Sequence, residues 1–514
     1  MTKEIDISVA PQLAADDNHL KEKVASLLQL NVSEVSFIKI LKRSVDARSK
    51  NIKIHLKVLV YINESAPENP IPFIKYPDVS KKLPVIIIGA GPAGLFAALK
   101  LIQRGFKPVI LERGKNVRDR RRDLAAINKE HIVHPDSNYC FGEGGAGTYS
   151  DGKLFTRSTK RGDVQNILNT LVAHGANEDI LIDAHPHIGT NKLPKIIVSI
   201  RESIVHAGAE VHFNSRVTDF IIENGHFRGV VTQNNEEFLA DACILATGHS
   251  ARDIFKLLYS KNILIESKPF AMGVRIEHPQ QIIDSIQYHC KTRSEFLPPA
   301  TYSLVHQVKD KGVYSFCMCP GGIIAPCATS DGEVVTNGWS PSKRNNPYAN
   351  SGIVVSVDDE DLAPFAKEGV LAGLKYQQKL EQMAYEAGGK CQVAPAQRLE
   401  DFIKNKISEN LPECSYQPGI LSAPLHQLLP YSISYRLQEG FKVFGQKMKG
   451  YMTNEAVIVG VESRTSSPIR IPRDRESFQH PQVKGLYPCG EGAGYAGGIV
   501  SAAIDGEKCA EKIH

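Results

Sequence analysis

The stretch Pro84-Val85-Ile86-Ile87-Ile88-Gly89-Ala90-Gly91-Pro92-Ala93-Gly94, running on to Val109-Ile110-Leu111-Glu112, decides the fold. Residues 85–88 are all β-branched, the composition of a strand buried on both faces. Gly89, Gly91 and Gly94 then give G-x-G-x-x-G, in which the first glycine allows a tight turn and the second lets a pyrophosphate approach the backbone. The third brings the following helix close to the strand. Pro92 and Ala93 lie inside this fingerprint, and Leu95, Ala98, Leu99 and Ile102 follow at helical spacing. The free N–H groups of that helix's first turn would face the phosphates. Residues 109–111 read as a second buried strand. It ends at Glu112, about twenty residues after the glycines, where an acidic side chain binds a ribose hydroxyl. Strand, turn, helix, strand and terminal acid together predict a dinucleotide-binding unit.

Composition sets the frame around this unit. A chain of 514 residues, 42% hydrophobic, can bury several cores. A formal charge of +5 is small for that length and gives no case for nucleic acid or an anionic membrane. The first residues lack a signal peptide's apolar core, and no run approaches the roughly 20 apolar residues of a spanning helix. Ten scattered cysteines fit reduced thiols, so a cytoplasmic protein is expected.

Residues 1–80 read as a small βαββ unit: a strand over 5–9, a helix over 19–28, and strands over 35–41 and 52–62. A proline-rich linker follows at 65–76. Lys39, Lys42, Arg43, Arg48, Lys50 and Lys53 make the unit locally basic, either a solvated face or a docking surface for an acidic partner or RNA. Residues 81–255 continue the nucleotide domain. Arg118, Arg120, Arg121 and Arg122 follow the second strand, on a solvated helix or within reach of cofactor phosphates. Glycines 142, 144, 145, 147 and 152 make the next segment too glycine-rich for a helix or strand interior. Thr148 and Ser150 among them favour a loop lying flat against a ligand. A helix over 196–206, a strand over 209–213, a small meander over 216–239 and a buried strand over 241–246 precede Thr247-Gly248-His249-Ser250-Ala251-Arg252. Residues 256–455 read as an inserted mixed α+β substrate domain with a long helix over 369–387. Residues 456–514 return to the nucleotide domain, with a glycine turn around Gly490-Glu491-Gly492 and an apolar helix opening at Ala496-Gly497-Gly498-Ile499.

On these blocks, from about residue 84 onward, the sequence resembles FAD-dependent oxidoreductases of glutathione-reductase-like fold. More narrowly it resembles an uncharacterised family of FAD-dependent dehydrogenases, marked by Glu462-Ser463-Arg464-Thr465-Ser466-Ser467-Pro468 and by residues 490–498. The resemblance implies an α/β fold in which a Rossmann-like FAD domain carries the inserted domain. It gives Gly89, Gly91 and Gly94 to the FAD pyrophosphate and Glu112 to the adenosine ribose, with Pro92, Ala93 and Arg113 also in the cofactor-binding set. Gly144, Gly145, Ala146, Gly147, Thr148 and Ser150 would lie beside the flavin, and Ala246, Thr247 and Gly248 at the strand end that passes the cofactor. Glu491 falls where the broad class places an aspartate on the ribityl chain or phosphate. Gly490, Gly497, Gly498 and Ile499 complete the set, with the last helix aiming its N–H groups at charge developing on the reduced flavin.

No second G-x-G-x-x-G stands in a strand–helix setting. The segment 247–252 departs from the aromatic-hydroxylase pattern, and the single Trp339 leaves no Trp-x-Trp halogenase motif. Candidate chemistry falls to His185 and His187, spaced as two residues on one strand face, as acid/base groups or ordinary hydrogen-bonded histidines. They lack the further ligands of a metal site. Cys317 and Cys319 read as buried thiols beside the flavin or as a redox couple. Arg464 and Arg470 would suit a carboxylate or phosphate, or stand in solvent. The expected protein is an FAD oxidoreductase moving a hydride between flavin N5 and a small metabolite, anionic if those arginines bind it. A second partner, NAD(P)H among the candidates, would reset the flavin. The alternatives are an RNA-modifying flavoenzyme using the basic N-terminal unit, or a non-catalytic FAD-bound interaction protein.

Overall fold

The computed structural model describes residues 1–65, 74–156 and 162–514. Most of the linker expected at 65–76 lies outside the described residues. A parallel five-stranded sheet runs in the order Leu486–Pro488, Cys243–Leu245, Pro84–Ile88, Lys107–Leu111, Glu210–His212. The run of β-branched residues has its explanation here. Val85 and Ile87 join Ile110 and Ile244 in a core on one face, while Ile86 and Ile88 join Val109, Leu111 and Leu245 in a core on the other. With both faces covered, alternation of polar and apolar residues disappears.

Helices Pro92–Gln103, Val164–Ala173, Leu193–His206 and Ile499–Glu511 cover the first face. The second face carries helix Arg252–Ser260 and an antiparallel sheet of Val217–Glu223, His226–Thr232 and Glu237–Leu239. The C-terminal helix lies directly against the glycine-loop helix, and Gly506 makes this possible. A Cβ there would stand 2.1 Å from the Ala93 carbonyl oxygen. We expect Gly506→Ala to push the two helices apart, at a cost of about 1–3 kcal/mol. Because Ala93 belongs to the glycine turn, the variant should also retain less FAD on gel filtration than the parent.

A mixed seven-stranded sheet lies between sequence segments of the first. Its order is Val305–Val308, Lys311–Cys319, Tyr348–Val357, Phe270–Pro279, Val457–Glu462, Ala394–Arg398, Ile420–Ser422. All its pairings are antiparallel except that of Ala394–Arg398 with Ile420–Ser422. Helices Ala372–Ala387 and Tyr431–Lys447 pack on it. The first of these starts three residues later than its periodicity predicts, because Gly369 adopts φ +55° and breaks the preceding 3-10 turn.

The N-terminal strands Thr2–Val9, Lys53–Ile62 and Val35–Asp46 form an antiparallel sheet under helix Asp17–Leu28. Its apolar residues are continuous with the core of the seven-stranded sheet. Of its basic stretch, Arg43 is engaged by Asp183 and Asp179 at 2.8 and 3.2 Å, and Arg48 by Asp46 at 2.6 Å. Among the described residues, no helix is long and apolar enough to cross a membrane.

His278 sits fully buried in the large core, its Nε2 2.8 Å from the Tyr451 carbonyl oxygen. Burial lowers its pKa to about 4, against an ordinary value of 6.5. The folded protein therefore keeps this ring neutral where the unfolded chain takes up a proton. Stability should be fully present above pH 6.5 and fall as pH drops toward 4, by up to about 3 kcal/mol from this residue. Denaturant midpoints at pH 7 and 4.5 measure the loss, and His278→Phe should flatten it.

Candidate active site

The parallel strands deliver their C-terminal ends to one cavity of about 440 Å³, beside the strand Pro84–Ile88 where the strand order reverses. Open α/β sheets bind ligands at such a switch point. Helix Pro92–Gln103 begins here with Gly91 as N-cap and proline at its first position, and no side chain caps its N–H groups. Gly89, Gly91, Pro92 and Ala93 line the cavity. Gly94 does not; it lies under the turn, where a Cβ would meet the Gly89 carbonyl oxygen at 2.0 Å.

Glu112 is buried at the end of the second strand and does more than the motif implies. Its Oε2 accepts from Ala90 N at 2.8 Å, and its Oε1 from Gly114 N at 2.9 Å and Gly142 N at 3.0 Å. One carboxylate thus ties together the glycine turn, its own strand end and the glycine-rich loop. Two carboxylate oxygens offer about four acceptor positions, so one remains for a ribose hydroxyl. Arg113 beside it is held by Asp136 at 2.7 Å and Asp253 at 2.9 Å, with its guanidinium 4.2 Å from the Phe141 ring centre.

The glycine-rich loop is pinned on every side. Gly144 N donates to Ala90 O at 2.8 Å, and Thr148 Oγ1 donates to Glu143 O at 2.7 Å. Gly144 and Thr148 therefore brace the loop from behind, while Gly145, Ala146, Gly147 and Ser150 face the cavity. Arg120 corrects the expectation of a phosphate-reaching or solvated arginine. It is fully buried and donates to Asn138 O, Tyr139 O and Glu143 O at 2.8, 3.0 and 2.9 Å. Those three carbonyls hold the loop's approach in place.

Ala246, Thr247 and Gly248 line the cavity from the end of the strand Cys243–Leu245, and Gly490 and Glu491 from the end of Leu486–Pro488. Gly490 N is fixed by Asp505, which Arg473 clamps at 2.6 and 3.0 Å. The same guanidinium reaches Cys509 Sγ at 3.2 Å and so fills the space among Cys489, Asp505 and Cys509, a trio close enough for a cation. The Glu491 carboxylate accepts the Gly498 N–H at the entrance of the last helix. Gly497, Gly498 and Ile499 stand beside it in the wall.

The seven-stranded sheet and its loops close the cavity through Phe316, Cys317, Gly338, Trp339, Arg464 and Thr465. Arg464 is not solvated. It pairs with Glu381 at 2.9 Å and Glu333 at 3.1 Å and donates to Thr329 Oγ1 at 2.7 Å. Arg252 joins the same carboxylates at 2.8 and 3.1 Å. Burial alone would raise the Glu381 pKa, but Arg252 and Arg464 hold it well below the usual range. His249, on the loop after the strand Cys243–Leu245, faces Glu491 at 3.7 Å. Burial, with Arg464 and Arg252 nearby, lowers it to about 4, so it meets a ligand as a neutral ring.

The remaining candidates separate. Residues 183–188 form no strand; Asp183 and His187 make isolated bridges only. His185 is exposed, its ring 4.8 Å from that of Phe155, while His187 Nε2 lies 3.1 Å from Ser342 O. Neither lines the cavity. Arg470 is exposed, its guanidinium 4.9 Å from the Tyr495 ring centre. Cys317 reaches the cavity with Cys319 buried behind it, and Lys153 stands against both. Lys153, Asp151 and His249 were absent from the sequence-derived candidates. The only signal for them was their place next to glycine-rich turns.

The cavity passes a direct test for a flat, extended nucleotide. Built on the backbone, a Cβ at Gly248, Gly497 or Gly498 meets no protein atom within 4 Å, and at Gly91 only the Gly145 Cα at 4.0 Å. Backbone is therefore presented bare to whatever fills the space. A family model described as an FAD binding domain matches residues 82–135, and one described as FAD-dependent protein, C-terminal domain-like matches residues 269–465. Residues 1–61 match a domain of unknown function (DUF8436). The protein is a flavoprotein with FAD as its cofactor, built on a Rossmann-type domain in a mixed α/β chain.

The chain belongs to the same family as an uncharacterized protein of Clostridium beijerinckii, to which it is 39% identical over 98% of its own length and 97% of that protein's. A digeranylgeranylglycerophospholipid reductase of Methanosarcina acetivorans is 27% identical over 29% of this chain and 33% of its own. Among solved structures, the halogenase PltM L111Y mutant in complex with FAD covers 83% of this chain and 68% of its own at 12% identity and TM-score 0.40. CtdE in complex with FAD covers 83% and 82% at 11% identity and TM-score 0.31.

Proposed function

We propose that this protein is an FAD oxidoreductase that moves a hydride between a small metabolite and the flavin in the cavity described above. The observation that carries this reading is the convergence of three glycine segments, 89–94, 144–148 and 490–498, on one cavity that a second sheet covers. FAD supplies the hydride-accepting or hydride-donating centre. Glu112 and the uncapped turn at Pro92 hold the adenosine and pyrophosphate half, in the manner of glutathione-reductase-like enzymes. Gly497, Gly498 and the covering strand Lys311–Cys319 then face the reacting half.

The covering residues divide the remaining tasks. Arg464, with four of its five N–H groups on Glu381, Glu333 and Thr329, shapes the wall. Lys153 lines the cavity with its ammonium already against Asp151 and the sulfurs of Cys317 and Cys319, and neutral His249 is the group placed to donate or accept a hydrogen bond. Anaerobic mixing of the FAD-loaded protein with NADH, NADPH and a panel of hydroxy and amino acids tests the reading. Bleaching of the flavin by any of them supports it. Flavin that stays oxidised against all of them, yet is bleached by dithionite, would favour a non-catalytic flavoprotein.

A further inference from the structure

Cys317 and Cys319 lie at the end of the strand Lys311–Cys319, where pairing with Tyr348–Val357 slips: Phe316 pairs with Gly352, but Cys319 with Asn350. The extra residue is accommodated at Cys317, which has φ +47°. A β-bulge re-aims side chains, and here it turns both sulfurs toward one ammonium group. Lys153 Nζ lies 3.6 Å from Cys317 Sγ and 3.5 Å from Cys319 Sγ. Arg275, fully buried, donates to Cys317 O at 2.7 Å and reaches Cys319 Sγ at 3.6 Å. Cys317 lines the FAD cavity; Cys319 is buried behind it, its Sγ 3.3 Å from Cys317 O.

Lys153 and Arg275 favour the deprotonated form of both sulfurs, and the hydrogen bond between the two shifts them in opposite directions. Asp151, Glu462 and Glu491 are carboxylates near the pair; Asp151 is paired with Lys153 at 3.3 Å and Arg344 at 2.8 Å, Glu462 with Arg275 at 3.0 Å, and Glu491 accepts from Gly498 N. The hydrogen bond from Cys319, with Lys153 and Arg275 close by, holds the Cys317 thiol well below its ordinary pKa against the effect of burial. The same hydrogen bond and burial push Cys319 well above. A cavity-facing sulfur whose deprotonation is favoured, with a second sulfur directly behind it, is the arrangement that thiol–disulfide chemistry uses.

We propose that Cys317 and Cys319 form a redox-active dithiol on the cavity wall that exchanges two electrons with the bound flavin, with Lys153 as its positioning cation. This rests on the flavoprotein reading above and supplies a route, other than the metabolite, by which the flavin is reset. In the oxidising direction the Cys319 S–H bond breaks and an S–S bond forms to Cys317. The electron pair and the released proton pass to oxidised FAD, giving the reduced flavin anion. Thiolate, thiol and oxidised flavin thus become disulfide and reduced flavin anion, with charge and atoms conserved.

The experiment is an anaerobic dithionite titration of FAD-loaded protein, first oxidised with diamide and desalted, with peptide mass spectrometry of the same samples. The wild type should consume twice the reducing equivalents per FAD that Cys317→Ser and Cys319→Ser consume, and its oxidised peptide should carry a 317–319 disulfide. Equal consumption by all three proteins, with both cysteines alkylatable before and after diamide, would overturn the proposal. FAD-free protein treated with diamide gives a separate reading. A disulfide there supports the pair even if FAD binding fails, and its absence counts against it. Lys153→Met should slow alkylation of Cys317 by iodoacetamide at neutral pH about tenfold; an unchanged rate would remove Lys153 from the scheme.

Discussion

Glu112→Ala should yield a protein that no longer retains FAD and unfolds well below the parent. Three backbone N–H groups, on Ala90, Gly114 and Gly142, lose their acceptor in a buried site. Each buried donor left without a partner costs about 1–3 kcal/mol, so a total of roughly 3–9 kcal/mol is expected before any loss of ribose contact. Glu112→Gln is the informative control. Its single amide oxygen can serve one side of the site, but its NH₂ would face another N–H. It should therefore fall between parent and alanine in denaturant midpoint and bind FAD at least tenfold more weakly. A glutamate serving only the ribose would behave differently, with either variant losing affinity at unchanged stability.

The second large effect is expected at Arg464. Arg464→Met leaves Glu381 and Glu333 buried with only Arg252 to balance them. Removing one partner of a buried ion pair costs about 3–5 kcal/mol, and chemical denaturation should show a loss of that size. The double variant Arg464→Met/Glu381→Gln should lose less than the sum of the two single changes, because both remove the same interaction. Additive losses would mean that the pair does not couple. Flavin reduction by a small substrate should change little in any Arg464 variant that folds, since this side chain is assigned to the wall.

The contrast between these residues explains what the sequence revealed. The strand Pro84–Ile88, the turn and helix Pro92–Gln103 were legible because β-branched runs, glycine spacing and helical periodicity act over a few residues. The occupant of the cavity followed from glycine blocks far apart in the chain. What escaped were side chains defined by distant partners. Arg464 meets Glu333 and Glu381 across 131 and 83 residues, and an arginine beside serines reads as solvated until those carboxylates are in place. Arg120 escaped for the same reason: its partners are carbonyl oxygens of residues 138, 139 and 143, groups without sequence identity. His185 and His187 misled in the opposite direction. Their spacing suggests one strand face, but the chain there makes only isolated bridges and turns the rings to different neighbours. Lys153 had no motif of its own, and only the bulge at Cys317 brings it a role.

In the proposed placement one FAD fills the cavity, with its adenine half at Glu112 and its flavin against Cys317. Ligand protection of Cys317 from alkylation tests this most directly, measured in the FAD-free protein with FAD, FMN and ADP added separately. FAD should bind once per chain and protect Cys317, whereas saturating ADP should occupy the Glu112 end and leave Cys317 reactive. Failure of FAD to bind, or equal protection of Cys317 by ADP, would contradict it.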